Sequence, residues 1–260
     1  RYTLAQQHPK AGLFYPRNHF HAMSLPENFQ FTKEFEVGSF QVYPNGKIRM
    51  ACLADLLQEI AWRHADSADF GRNLLNSQQM WVLSRLEIKV EKFPKWGDRL
   101  QLFTGGRGAE KLFAFREFMV WDQDQQVVAR AMSSWLLLHT ETKRIQKPEL
   151  VLPAALFDPR NAPAWQPEKL AVGGELSAQE EIQVRQSDLD LYHHVNNTSY
   201  IRWVENFLAD QDFYPEQISI NYLSECLAGD KVILSLFNTD SEKYIEGKVG
   251  DKAVFIARVR

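Results

Sequence analysis

Within ten residues the stretch SDLDLYHHVNN places two carboxylates (Asp188, Asp190), Tyr192, two histidines (His193, His194) and two asparagines (Asn196, Asn197). These are groups that move protons and orient water. A carboxylate acts as a base toward water or attacks directly, and imidazole carries protons because it titrates near neutrality. Asp or Asn ahead of a helix is also an ordinary N-cap, but a cap needs one such residue and this cluster offers several. If the segment is extended, His193 and His194 face opposite sides, so one of them is structural or solvent-facing. Further along, ISINYLSECL brings Glu225 and Cys226. Glu225 reads either as an outward charge or as the group that holds His194. Cys226 reads as a thiolate nucleophile with His194 as its base, or as a small buried hydrophobe, the commoner role for a Cys on an apolar strand.

The cluster stands at the mouth of a helix. Tyr200, Trp203, Val204, Phe207 and Leu208 follow the i, i+3, i+4, i+7, i+8 spacing of a helix with one buried face. The unpaired amides and dipole of a helix start favour negative charge, so the backbone N–H groups of Val195 to Asn197 are candidate oxyanion donors. The same helical spacing occurs earlier, in Leu53, Leu56, Leu57, Ile60 and Ala61. A strand-like run precedes each helix (KEFEVGSFQV and EEIQVRQS). Alternating strands follow each one, with a Gly-Asp turn in LEIKVEKFPKWGDRLQLF and again in ISINYLSECLAGDKVILSLF. KLFAFREFMVW and QVVARAMSSWLLLHT close the first half, EKYIEGKV and KAVFIARV the second, with TGGRGAE and NTDSE as expected hairpin turns.

One helix followed by a meander, seen twice, predicts a duplicated α+β unit with an antiparallel sheet on a single helix. Matching Leu53 to Tyr200 sets Asp190 against Tyr43, His194 against Lys47 and Asn196 against Arg49. Matching the Gly-Asp turns sets Glu225 and Cys226 against Phe93 and Pro94. The shared plan therefore does not require Asp, His, Asn or Glu at these places, and the second unit has acquired them.

Five of the eleven prolines fall between Pro148 and Pro167, which excludes a helix interior or central strand there and marks a linker. The expected layout is an N-terminal arm over 1–30, a first unit over 31–148, a linker over 149–178 and a second unit over 179–260. His19 and His21 in the arm have only His8 and Glu27 beside them as further metal ligands, so a plain arm is the reading; Met23 is a candidate internal start. A formal charge of −3 gives no general attraction to nucleic acid or anionic membrane, and no apolar run is long enough to span a bilayer. Two cysteines without a CxxC pair argue against a disulfide framework or zinc site and fit a reducing compartment.

DLDLYHHVNNTSYIRWVENF followed by NYLSEC and a Gly-Asp turn, together with MWVLSRLEIKVEKFPKWGDRL in the first half, resembles the acyl-acyl-carrier-protein thioesterases of plants and bacteria. The likeness runs over roughly residues 30–260. It implies two tandem hotdog units, each a long helix wrapped by an antiparallel sheet. The implied activity is hydrolysis of the thioester between a fatty acyl chain and the phosphopantetheine arm of acyl carrier protein, with no metal or cofactor. It also implies an acyl-chain pocket in the first unit and catalytic roles for Asp190, His194 and Glu225, with Cys226 beside them. The family has Asn where this chain has Tyr192, so either the Tyr192 hydroxyl, Asn196 or Asn197 takes over that task, or the enzyme is slow or altered in substrate choice. The carrier is acidic, which makes Lys89, Lys92, Lys95 and Arg99, or Lys143, Arg144 and Lys147, candidates for steering it. Homodimerisation is one option for assembly, and the expected location is bacterial cytoplasm or, after loss of a transit segment, plastid stroma. The alternatives are an acyl-CoA thioesterase of the same fold, a hotdog hydratase or dehydratase, and a non-catalytic acyl-thioester binder.

Overall fold

A computed structural model describes residues 25–68, 70–152, 161–209 and 213–260. His8, His19, His21 and Met23 of the arm, and Pro153 and Pro159 of the proline-rich stretch, lie outside the described residues. The first half runs β1 (Phe31–Glu36), α1 (Met50–Ser67), β2 (Gln79–Val90), β3 (Arg99–Glu110), β4 (Phe113–Trp121) and β5 (Val127–His139). A short β6 (Ile145–Gln146) and one helical turn, α2 (Pro148–Val151), follow. The second half repeats the plan as β7 (Glu175–Gln183), α3 (Asn197–Ala209), β8 (Gln217–Tyr222), β9 (Lys231–Asn238), β10 (Lys243–Val249) and β11 (Lys252–Val259).

The strands form one antiparallel sheet in the order β1-β3-β4-β5-β2-β8-β11-β10-β9-β7, with β6 against β5. Read outward from its centre, the order is the same on both sides, so the sheet has a pseudo-two-fold between β2 and β8. That seam pairs Arg85 with Asn221, Leu86 with Ile220 and Ile88 with Ile218. This is the expected double hotdog. The apolar positions that predicted each helix are all buried, Leu53, Leu56, Leu57, Ile60 and Ala61 on α1 and Tyr200, Trp203, Val204, Phe207 and Leu208 on α3. They belong to one continuous core that also takes in Ile88, Ile218 and Ile220 from the seam.

Three local readings are corrected. TGGRGAE is no hairpin turn: β3 runs through it to Glu110 and the chain reverses at Lys111, which has φ +58°. The glycines instead serve a bulge between Gly106 and Ala109, where Gly108 takes φ +59°. KEFEVGSFQV is not strand throughout, because the Gln41 side chain accepts the Gly38 N–H at 2.8 Å and turns Ser39–Gln41 into a 3-10 turn. Glu225 does not sit on a strand either. β8 ends at Tyr222, and the N–H groups of Leu223 and Ser224 both donate to the Val254 carbonyl, so Glu225 belongs to the loop beyond.

β2 is twice the length of β8. Its first residues, Gln79 to Leu83, pair with β5 but have no strand partner on the side of β8 among the described residues. The sheet is open at that point, and this opening positions the site.

Candidate active site

The cluster folds as a tight loop that both units share. In the second unit Asp190 N–H donates to the His194 carbonyl, His193 N–H to the Asp190 carbonyl and Asn196 N–H to the Asp188 carbonyl. In the first, Tyr43, Gly46 and Arg49 make the same three bonds, to Lys47, Tyr43 and Gln41. Val195 N–H donates to the Cys226 carbonyl as Ile48 N–H does to that of Pro94. Hydrogen bonding thus pairs the positions that the repeat matched. His193 takes φ +62° where the first unit has Gly46 at +79°, so it is the turn residue and points to solvent. Asp188 is buried and accepts the Arg185 N–H, a structural role.

On this frame stand the acquired groups. His194 Nε2 lies 3.4 Å from Glu225 Oε2, and the two segments are joined by a β-bridge between His194 and Leu227. One carboxylate oxygen of Asp190 accepts two backbone N–H groups, from Tyr192 at 2.8 Å and His194 at 3.2 Å. In the first unit the N–H at the His194 position, that of Lys47, goes instead to the Asn45 side chain, and Asn45 is the counterpart of Tyr192. The Tyr192 phenol sits at the far end of a rigid ring rather than next to the backbone as an Asn amide does, and here Asp190 supplies the acceptor. The Tyr192 ring is exposed.

Asn196 caps α3. Its side-chain oxygen accepts Thr198 N–H at 3.2 Å and Thr198 Oγ1–H at 3.3 Å, which fixes the carboxamide orientation without ambiguity over the flip. The same oxygen accepts Nε2–H of Gln58, from α1 of the other unit, at 3.1 Å. Of the three candidate oxyanion donors, Val195 and Asn196 N–H are engaged in the loop, which leaves Asn197 N–H at the helix start. Cys226 is fully buried, and burial pushes its thiol up from the ordinary value.

Asp190, Tyr192, His194, Asn196, Asn197 and Glu225 line a cleft of about 880 Å³ whose far wall is Gln79–Ser84 of β2 with Gln58 and Trp62 of α1. Exposed Leu191 and Leu223 give it an apolar rim. Trp62, Trp81 and Trp135 are shared with a second cavity of about 310 Å³ inside the first unit. Ala61, Ala65, Ala68, Phe70, Ala114, Phe115 and Leu152 make that cavity mainly apolar. Buried His64 and Arg116 stand in its wall, with the Arg116 Nη1 and His64 Nδ1 2.9 Å apart. Burial, helped by Arg116, lowers the His64 pKa to about 4, and burial lowers that of Arg116 to about 10. Sequence reasoning missed the tryptophans and Gln58, whose spacing along the chain does not distinguish cavity lining from core. Of the proposed steering cations, Lys89 is paired with Glu87 and Lys92 with Asp122.

The family model for the acyl-ACP thioesterase N-terminal domain matches residues 28–151, and that for the acyl-ACP thioesterase C-terminal domain matches residues 174–251. The chain belongs to the acyl-ACP thioesterase family. Among its relatives in that family is the chloroplastic oleoyl-acyl carrier protein thioesterase 1 of Arabidopsis thaliana, 28% identical over 84% of this chain and 67% of the relative. The chloroplastic dodecanoyl-[acyl-carrier-protein] hydrolase of Cinnamomum camphora is 29% identical over 81% of this chain and 60% of its own length. The chain thus spans about two thirds of these plant acyl-ACP thioesterases or less. An acyl-ACP thioesterase from Bacteroides thetaiotaomicron superposes with a TM-score of 0.73 at 25% identity, covering 88% of this chain and 96% of that one. The 12:0-ACP thioesterase from Umbellularia californica shares the fold, with a TM-score of 0.79 at 22% identity over 92% and 98% of the two chains.

Proposed function

We propose that this chain hydrolyses the thioester of a fatty acyl group on acyl carrier protein and releases the free fatty acid. The observation that carries the reading is the His194–Glu225 pair beside Asp190 in a cleft that shares three wall residues, Trp62, Trp81 and Trp135, with an apolar cavity of the other unit. The acyl chain enters the first unit past Trp62, Trp81 and Trp135, and the pantetheine arm lies along the open cleft. Asp190 draws a proton from water through its second carboxylate oxygen. The water oxygen attacks the carbonyl carbon, whose oxygen takes up charge beside Asn197 N–H and the positive end of α3. The proton passes from Asp190 to His194, which Glu225 holds; the C–S bond then breaks as His194 delivers that proton to sulfur. At 3.4 Å the His–Glu contact is long for a hydrogen bond, and catalytic contacts of this kind tighten when substrate binds. The buried, raised thiol of Cys226 argues against a covalent route.

The test is release of fatty acid from acyl carrier protein substrates of C8 to C18, with acyl-CoA of the same chains in parallel. Asp190→Ala and His194→Ala are each expected to lower kcat by about 10²–10⁴. Near-wild-type turnover in either variant overturns the assignment, and preference for acyl-CoA moves the substrate from the carrier to the coenzyme.

A further inference from the structure

Helices α1 and α3 pack so that the start of each meets a later turn of the other, and each start receives a side chain from the opposite helix. At the start of α1, Met50 N–H donates to Glu205 Oε1 at 2.5 Å and Ala51 N–H lies 3.4 Å from Glu205 Oε2. Glu205 comes from α3 and is buried. It occupies, in the first unit, the seat that a thioester oxygen would take in the second: an acceptor on the first amide of the helix. At the start of α3 the corresponding amides are those of Asn197 and Thr198, and the residue of α1 that matches Glu205 is Gln58. Gln58 does not reach the amide of Asn197. It donates to the Asn196 side-chain oxygen, which in turn accepts from Thr198 N–H.

We propose that Gln58 is a positioning residue for hydrolysis. Its carboxamide pins Asn196 as the cap of α3, and because it presents a donor rather than a carboxylate it leaves the Asn197 N–H to the thioester oxygen. In the first unit the same device is closed by a carboxylate of the second, Glu205. One acid-to-amide difference between Glu205 and Gln58 therefore separates a self-filled seat from an open one. The inference rests on the thioesterase reading for its catalytic consequence, but the seat itself is a matter of geometry.

Two substitutions test it. Gln58→Glu returns to α3 the carboxylate that α1 already has. It is expected to lower kcat on an acyl carrier protein thioester at pH 8 by on the order of 10²-fold, the loss typical of a blocked oxyanion donor. Activity relative to wild type at the same pH should recover toward pH 5 as the introduced carboxyl is protonated. The wild-type profile is needed as the divisor because Glu59, Asp66, Asp190, His194 and Glu225 also line the cleft. Gln58→Ala, which removes the pin and adds no charge, should cost about tenfold or less in kcat with a smaller change in KM. Wild-type kcat and pH profile in Gln58→Glu overturn the proposal.

A second readout is independent of turnover. In ¹⁵N-labelled protein the Asn197 amide proton should move downfield in Gln58→Glu as the introduced carboxyl ionises, toward the position that Met50 holds in wild type. An Asn197 amide indifferent to the substitution also overturns the proposal. If wild type proves inactive while that shift appears, the thioesterase reading fails and the seat stands.

Discussion

Asp190 accepts backbone N–H groups in addition to the base role proposed for it, and the physical reason is its neighbour Tyr192. Asn45 supplies the loop acceptor in the first unit, whereas Tyr192 leaves that task to Asp190. Tyr192→Asn should release Asp190 from part of its backbone work and raise kcat by about fivefold, the equivalent of one neutral hydrogen bond. A steady-state assay on one acyl carrier protein substrate decides it, and a fall in kcat would show that the tyrosine contributes directly. Cys226→Ala should keep kcat within about twofold of wild type, since a buried thiol with a raised pKa is unreactive. Burst kinetics with a trapped acyl group would contradict this. At this scale the sequence singled out Asp190, His194 and Glu225 by their absence from the first unit, and the fold brings the three to one cleft. The backbone role of Asp190 was not legible there, because it depends on where one N–H points.

The helices show what local periodicity reveals and what it hides. The buried faces of α1 and α3 follow from spacing alone, since five apolar residues at helical intervals have one way to leave water. The caps are invisible in that pattern. Glu205 and Met50 lie 155 residues apart, Gln58 and Asn196 138, and nothing short-range connects either pair. Glu205→Ala should destabilise the fold by about 1–3 kcal/mol, through loss of the α1 cap, which leaves the buried amides of Met50 and Ala51 without their acceptor, as read from urea unfolding. His64 on α1 gives a pH prediction. The folded chain holds this imidazole neutral down to about pH 4, whereas an unfolded one binds a proton near 6.5. Unfolding therefore takes up a proton in that window, and stability falls as pH drops through it, by on the order of 3 kcal/mol in full. His64→Gln should flatten that slope. A wild-type stability unchanged between pH 6.5 and 4 would deny it.

Across the whole molecule, duplication is written in the sequence and its assembly is not. The order strand, helix, meander appears twice in the residues, but nothing in them says that β2 meets β8 rather than a second chain. That pairing depends on long-range packing of Ile88, Ile218 and Ile220 in one shared core. Because the core crosses the seam, the two units should unfold together. Ile220→Ala should cost about 2–5 kcal/mol and keep a single transition by calorimetry. Two separated transitions in wild type would show that the units are thermodynamically independent.

The mismatch in length between β2 and β8 sets stability against access. Extending β8 by a few residues with strand-forming side chains would give Gln79 to Leu83 the ladder partners that, among the described residues, they lack on the side away from β5, and the sheet would gain stability from them. The same zipper would draw shut the cleft that His194 and Gln79 to Ser84 line, the proposed seat of the substrate. Selection for a tougher protein and selection for an open door therefore act on the same handful of backbone groups, in opposite directions.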